Sequence, residues 1–281
     1  MPLITDFVAD RALPDLYETY LVEGLFAPWA EVLIDTVQPA GQCLDIACGT
    51  GIVSRKLSDL SQVTGVKAID VAPPMIDKAV ALQKEKDWAA KVDFQVASAL
   101  ELPFDANSFD AIFCQQGLQF FPDKPAALRE AARVLKPDGS MIFGVWTSAH
   151  DGNPVFGAFE NIVAEYLGQD LVPFGPFSFG NEESLRNVAE EAGVRIESLV
   201  RHELITSLPD VRTLVLFDML FLGRPAPDGS LQPVIDPKDP DGDAIIEQII
   251  DQLSQETDSY LGTDGSLKAP TTAHIMVARK I

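Results

Sequence analysis

Residues 43–51 read Cys-Leu-Asp-Ile-Ala-Cys-Gly-Thr-Gly, and Ile52-Val-Ser-Arg-Lys-Leu57 follows at once. A short apolar run ends in small residues at alternate positions, Ala47, Gly49 and Gly51, and then a helical pattern begins. That order describes a buried strand, a bare turn and a helix. No side chain stands in the way of a ligand lying against the backbone of such a turn. The N-terminus of the helix points its amides to the same place.

Outward from the turn, strands and helices alternate. The spacing predicts strands over Cys43–Ala47, Val63–Val71, Val92–Ala97, Phe109–Cys114 and Ser140–Trp146. Helices are predicted over 52–60, Pro73–Trp88, with proline in its first turn, and Lys124–Leu135, which Lys-Pro-Asp-Gly closes. Strands at this pitch are parallel and joined by helical crossovers, and right-handed crossovers wind them into a doubly wound α/β sheet. Before the first strand, residues 15–38 read as helix in two pieces, stopped by Pro39-Ala40-Gly41. Beyond residue 147 the pattern is less regular. It predicts helices over 154–168, Asn181–Ala192, Pro209–Leu222 and Ala244–Leu261, and strands over Val194–Thr206 and Ala273–Lys280. Asn181 is a fitting N-cap and Gly193 a fitting stop for the second of these helices. Residues 175–180 read as a loop, and residues 223–243, rich in Pro, Gly and Asp, as a mobile loop.

The chain has 281 residues, enough for a full core. Against 21 basic residues stand 42 acidic ones, a net charge of −21. Such a surface repels phosphate backbones and anionic lipid, which argues against a nucleic-acid substrate. Cys43, Cys48 and Cys114 are an odd number without framework or zinc spacing, as in a reducing compartment. The leading MPLITDFVADRALPDL has no apolar core of signal length, and no stretch approaches the roughly 20 apolar residues of a membrane span. These features lead to the expectation of a cytoplasmic protein without a membrane span. Whether it forms a homodimer is left open.

Two ligands suit the turn: a dinucleotide, whose pyrophosphate sits on the amides, and S-adenosylmethionine, whose ribose and methionine part cross the same bend. The dinucleotide fingerprint wants a third glycine. Here Ala47, Gly49 and Gly51 run as A-x-G-x-G, and Ile52 stands three residues after Gly49. Asp70 lies about 20 residues beyond the turn and would hold ribose hydroxyls for either ligand. Asp45, two residues before the small-residue run, gives D-x-A-x-G-x-G and separates the two.

LDIACGTG, IDVAPPMIDKA, ALELPFDANSFDAIFC and LREAARVLKPDGSMIFGVW, in this order and at these intervals, resemble the successive motifs of class I S-adenosylmethionine-dependent methyltransferases. The resemblance covers about residues 40–147 and is strongest to the ubiquinone/menaquinone-biosynthesis-like small-molecule group. It implies a doubly wound, mostly parallel seven-stranded sheet, the Rossmann-like methyltransferase fold, with N-terminal helices and a C-terminal cap. The implied organisation is a helical cover over 1–40, a cofactor-binding core over 41–147 and a substrate or cap region over 148–281 that ends in the last sheet strands, all within one overall domain. The cofactor that the resemblance implies is S-adenosylmethionine, with S-adenosylhomocysteine as the product.

The resemblance also implies residue roles. Asp45 helps to hold the methionine amino group, or else is a capping carboxylate that orders the turn. Ala47, Gly49 and Gly51 offer backbone. Asp70 accepts the ribose hydroxyls, since an ionised carboxylate accepts through two oxygens. Val71 and Met75 flank the adenine. Members of the family often carry Gly-Asp-Ala before Leu-Pro-Phe, where this chain has Ala97-Ser98-Ala99; adenine then relies on Ser98, the amide of Ala99 and apolar contacts. The carbonyl of Gln115 holds the ammonium group. Gln116, Gln119 and Trp146 are candidates for substrate contact, the glutamines alternatively serving buried polar groups. Tyr17 and Tyr20, three residues apart on a leading helix, share a face and either cover the site or pack the helix.

Methyl transfer from a sulfonium is an in-line displacement with a good leaving group, so placement and water exclusion suffice and no metal is demanded. A general base matters only where the acceptor must lose a proton. His150, after the fifth strand, and Tyr20 are the candidates; His202 and His274 sit in strand patterns and read as structural. Phe156, Phe159, Phe174, Phe177, Phe179, Phe217 and Phe221 either line a pocket for an apolar small molecule or form the core of the cap. The 223–243 loop is read as a plain mobile loop, or else as a lid. Two rival readings remain: a methyltransferase-like protein that binds the cofactor without transferring methyl, and an NAD(P)-dependent oxidoreductase, which Ile52 and Asp45 disfavour. The atom methylated, whether N, O or C, and the small-molecule acceptor itself are not encoded in any of these motifs.

Overall fold

The structure, a computed structural model, describes residues 2–9, 11–86, 92–168, 175–225, 231–236 and 240–281. Its first half runs α1 (Leu3–Phe7), α2 (Leu13–Tyr17), a π-helical segment (Glu18–Phe26), α3 (Ala27–Asp35), β1 (Gly41–Ile46), α4 (Ile52–Ser58), β2 (Val63–Asp70), α5 (Pro73–Lys86), β3 (Val92–Val96), β4 (Phe109–Gln115), α6 (Lys124–Val134) and β5 (Leu135–Trp146). The second half runs α7 (Pro154–Leu167), α8 (Glu182–Ala192), β6 (Val194–Leu208), α9 (Val211–Asp218), β7 (Gly223–Pro225), β8 (Leu231–Pro233), α10 (Pro240–Glu256) and β9 (Leu267–Lys280).

Seven strands form one sheet in the order β3-β2-β1-β4-β5-β9-β6. Pairings β1–β2, β1–β4, β2–β3 and β4–β5 are parallel, and β9 runs antiparallel to β5. The strand order reverses between β1 and β4, which puts the ligand crevice outside the carboxyl ends of those two strands. β4 reads almost wholly apolar because both its faces are covered: Ile112, Phe113 and Cys114 are fully buried. Leu44, Ile46, Leu128, Phe143 and Leu185 belong to the same core.

The chain divides into two compact units. One comprises residues 26–147, 179–202 and 273–281, and the other residues 1–25, 148–178 and 203–272. In the first unit helix ends follow their caps. The Asp123 side chain accepts the amide of Ala126 at α6, and that of Asn181 accepts the amide of Ser184 at α8. Gly193, at φ 69°, closes α8 in the left-handed region, as its position in the sequence predicts. The Lys-Pro-Asp-Gly stretch does not separate α6 from the fifth strand as expected. β5 starts at Leu135, and β4 advances from Phe109 to Ala111 while β5 advances from Leu135 to Ser140. Lys136, inside this irregularity, donates to Asp110 Oδ2 at 2.8 Å, which ties it to β4.

In the second unit, the segment expected as plain helix is π-helical over Glu18–Phe26. Hydrogen bonding there runs i→i+5, and Tyr17 ends α2 while Tyr20 lies in the π-helical segment. Gly24 is needed there: a Cβ would lie 2.2 Å from the carbonyl oxygen of Ser207. The helix expected over Pro209–Leu222 is shorter, Val211–Asp218, capped by Asp210 accepting from Thr213. The Arg212 guanidinium joins α9 to α10 through two bonds to Glu247, at 2.9 and 2.6 Å. The stretch read as a mobile loop contains the antiparallel β7–β8 pair, and α10 already starts at Pro240. Residues 226–230 and 237–239 of that stretch lie outside the described residues, as do Trp88 and Phe174. Among the described residues no helix is long and apolar enough to cross a membrane.

Candidate functional site

The turn after β1 is built from backbone that few residues adopt. Ala47, Gly49 and Gly51 have φ of 56°, 54° and 90°. The alternate small residues of the sequence are therefore the alternate left-handed positions of the turn, where a β-carbon costs about 1–2 kcal/mol. Gly51 is also the N-cap of α4, and a Cβ on it would lie 2.9 Å from the ring of Phe94. Across the crevice, Gly117 meets Ala47 just as closely: a Cβ at 117 would stand 2.7 Å from that of Ala47. The turn that leaves β4 thus rests on the turn that leaves β1.

Two carboxylates order the first turn. Asp45 is 1% exposed, and its Oδ2 accepts both the amide of Ser54, at 3.0 Å, and the Ser54 hydroxyl, at 2.6 Å. Burial pushes the Asp45 carboxyl up to about 7, against the pull of its bonds from Ser54. Asp70, at the end of β2, accepts the amide of Gly49 on Oδ2 and that of Ala72 on Oδ1, each at 2.9 Å. The amide of Gly51 goes to the carbonyl of Cys48 at 2.8 Å. The sequence reading aimed these amides at a ligand; Gly49, Gly51 and Ser54 instead donate within the protein. A pyrophosphate, which needs such donors and no adjacent carboxylates, is poorly served here. Ser54, Phe94 and Gly117 were missed by that reading. The signal for Ser54 was its place at the third position of the helix, where a buried acid can reach its amide and hydroxyl together.

The remaining candidates of this unit occupy different surroundings. Val71 is 72% exposed although apolar, and Met75 is half-buried, so neither is core. Ser98 Oγ accepts the amide of Leu100 at 3.1 Å, and Ala97 donates its amide to the carbonyl of Asp70 at 3.0 Å, which brings the 97–99 segment to the end of β2. Ala99 is buried. Gln115 sends its side-chain amide to the carbonyl of Phe26 at 2.8 Å. Gln116, at φ 45°, and Gln119 are each 5% exposed. Trp146 is 3% exposed and packs edge-on against Trp29 at 5.3 Å, a core environment that leaves little of it for a ligand.

Tyr17, Tyr20 and His150 belong to the other unit. The Tyr20 hydroxyl accepts from Arg11 at 2.8 Å, and its ring stacks on Phe7 at 6.1 Å, a packing arrangement that engages the oxygen a base would use. Tyr17 is half-buried. His150 faces Glu160 at 3.8 Å, with both side chains largely exposed. His274, in the sheet unit, is buried and meets the carbonyl of Gly180 at 3.0 Å, which makes it structural. The phenylalanines pair with one another: Phe156 with Phe177 at 4.6 Å, and Phe217 with Phe221 at 5.3 Å. Phe179 belongs to the sheet unit, where its ring lies under the Lys124 ammonium at 4.7 Å. Cys43, Cys48 and Cys114 are free and buried, and burial pushes the Cys43 thiol up to about 12.

A methyltransferase-domain family model matches residues 44–143. A demethylmenaquinone methyltransferase of Renibacterium salmoninarum is 31% identical over 178 residues, which cover 63% of this chain and 70% of that protein. A ubiquinone/menaquinone biosynthesis C-methyltransferase, UbiE, of Ectopseudomonas mendocina is 35% identical over 144 residues, covering 50% of this chain and 56% of that protein. The chain therefore matches little more than half the length of this second relative. Among solved structures, the YcgJ protein of Bacillus subtilis superposes with a TM-score of 0.55 at 20% identity, covering 90% of this chain and 98% of that one. That last likeness is one of fold.

Proposed function

This chain belongs to the class I S-adenosylmethionine-dependent methyltransferases, and we propose that it methylates a small apolar or aromatic molecule by in-line transfer. The observation that carries this reading is the D-x-A-x-G-x-G turn at the reversal of the strand order, with Asp70 fastened to its middle glycine. The bare, left-handed backbone at 47, 49 and 51 fits a ligand that lies against it. Bound S-adenosylmethionine supplies an activated methyl group, and S-adenosylhomocysteine is the product.

The residues of the chain bind and place. Asp70 keeps lone pairs for the ribose hydroxyls beyond the two amides it already accepts, because a carboxylate offers about four acceptor sites. Asp45 supplies negative charge beside the turn for the methionine ammonium, and the carbonyl of Gln115 a further acceptor. Val71, exposed and apolar, and Met75 provide the surface for adenine. Ser98 and the amide of Ala99 meet the adenine edge without a charge. No side chain needs to act as a base unless the acceptor must lose a proton.

The acceptor is a small molecule and not a nucleic acid, since a net charge of −21 opposes a phosphate backbone. The free, buried cysteines favour a cytoplasmic setting. The test is mass spectrometry of a metabolite extract incubated with the protein and methyl-labelled S-adenosylmethionine. One small molecule should gain the labelled methyl group. Tight S-adenosylhomocysteine binding with no labelled product from any extract would reduce the protein to a cofactor-binding relative.

A further inference from the structure

The turn that leaves β4 holds three glutamines in five residues, Gln115, Gln116 and Gln119. Among the described residues, five of their six side-chain polar atoms are buried without a hydrogen-bond partner: Gln115 Oε1, and both Nε2 and Oε1 of Gln116 and Gln119. Buried polar groups in folded proteins are nearly always paired, and each exception calls for a reason. Turning either amide over satisfies neither, since among the described residues both polar atoms of Gln116 and of Gln119 lack partners.

The segment is also held in position. Gln115 is anchored by its bond to Phe26, and Gln116 sits at a positive φ that a non-glycine residue adopts only when its surroundings impose it. Gly117 makes the close approach to Ala47, so that the glutamines flank the cofactor turn. Strained backbone and unpaired polar groups in one place at a strand-order reversal are a pattern of binding sites. Gly144 belongs to it too: on the neighbouring strand, a Cβ there would stand 3.3 Å from Gln116 Nε2.

We propose that Gln116 and Gln119 recognise the methyl acceptor, and that the acceptor is an uncharged molecule with a hydrogen-bond donor next to a carbonyl oxygen, such as a hydroxy-carbonyl or carboxamide compound. This rests on the methyltransferase reading and adds to it the polar half of a largely apolar acceptor. Each glutamine amide offers donors and an acceptor without net charge, which matches a neutral group of the same kind. A carboxylate or phosphate is opposed by the field at this end of the sheet. The thiol of Cys114, the residue before Gln115, is pushed up by burial and further by Asp45 and Asp70. Unpaired amides discriminate strongly, because a ligand without the matching groups leaves them unpaired in a buried site.

The experiment uses the full chain saturated with S-adenosylhomocysteine and four probes: salicylamide, 2-hydroxyacetophenone, benzoate and toluene. Ligand-observed NMR titration reads binding to the wild type and to Gln116→Leu and Gln119→Leu. Salicylamide and 2-hydroxyacetophenone should bind the wild type about tenfold or more better than benzoate or toluene, and either substitution should remove that preference. S-adenosylhomocysteine affinity should stay unchanged in both variants. Wild-type chain that binds benzoate as well as salicylamide, or that binds neither while holding S-adenosylhomocysteine, overturns the proposal without touching the methyltransferase reading. So do leucine variants that keep the preference. The wild-type comparison needs no variant to fold. A wild type that fails to bind S-adenosylhomocysteine removes the methyltransferase reading and this proposal with it.

Discussion

Asp70 Oδ2 accepts the backbone amide of Gly49 at 2.9 Å, so the acid expected to grip the ribose also fastens the turn on which the cofactor would lie. Its other oxygen accepts the amide of Ala72, which fixes the carboxylate plane. Asp70→Ala should therefore lose a ligand contact and loosen the first turn together. Charge-assisted hydrogen bonds contribute about 1.5–3 kcal/mol each, so S-adenosylhomocysteine affinity should fall about 10- to 100-fold or more. Isothermal titration decides; unchanged affinity would put the sugar elsewhere.

Gly51 combines φ 90° with the ring of Phe94 2.9 Å from a would-be Cβ. Gly51→Ala should destabilise the fold by about 1–3 kcal/mol, read as a lower urea midpoint. Adding Phe94→Leu relieves the steric part and leaves the backbone part. A double variant no better than the single one would assign the whole loss to φ.

Asp45 gives stability a pH dependence. Its carboxyl titrates near 7 in the fold, above the ordinary aspartate value of 3.8. Between those values the folded chain holds a proton that the unfolded chain has released. Its contribution is thus fully present at low pH and is lost as pH rises through about 7, by up to about 4 kcal/mol at about 1.4 kcal/mol per unit. Asp45→Asn keeps an oxygen to accept from Ser54 and cannot ionise. Its Tm relative to wild type should rise between pH 5 and pH 8, and thermal melts at several pH values would expose a flat difference.

Ligand binding should show the same group. A methionine ammonium beside Asp45 favours the ionised carboxylate, so S-adenosylhomocysteine binding below about pH 7 should release a proton. Calorimetry in buffers of different ionisation enthalpy measures that release, and Asp45→Asn should abolish it. Equal release from both proteins would mean that the ammonium lies away from Asp45.

Ser98 replaces the acid that family members often carry at the adenine edge, and its hydroxyl accepts the amide of Leu100. Ser98→Asp can keep that turn and adds an ionised acceptor for the adenine amino group. Cofactor affinity should improve about 3- to 10-fold, a charge-assisted bond replacing a neutral one. A titration with no gain would place adenine off this edge.

The sequence by itself determined the parallel half of the sheet, because strand alternation, helix caps such as Asn181 and stops such as Gly193 are short-range effects. It also determined the turn, since glycine at 49 and 51 suits left-handed backbone, and it placed Asp70 beside them. Only the tertiary structure decided that β9 inserts antiparallel between β5 and β6, a pairing that joins Trp146 to Ala273 across more than a hundred residues. It alone showed that Ser54 and Phe94 belong to the turn, that Tyr20 is held by Arg11, and that Gln116 and Gln119 are buried with their side-chain polar atoms unpaired among the described residues. Periodicity and turn chemistry act between neighbours along the chain. Burial and pairing depend on which distant residues arrive at the same place, and no local pattern carries that information.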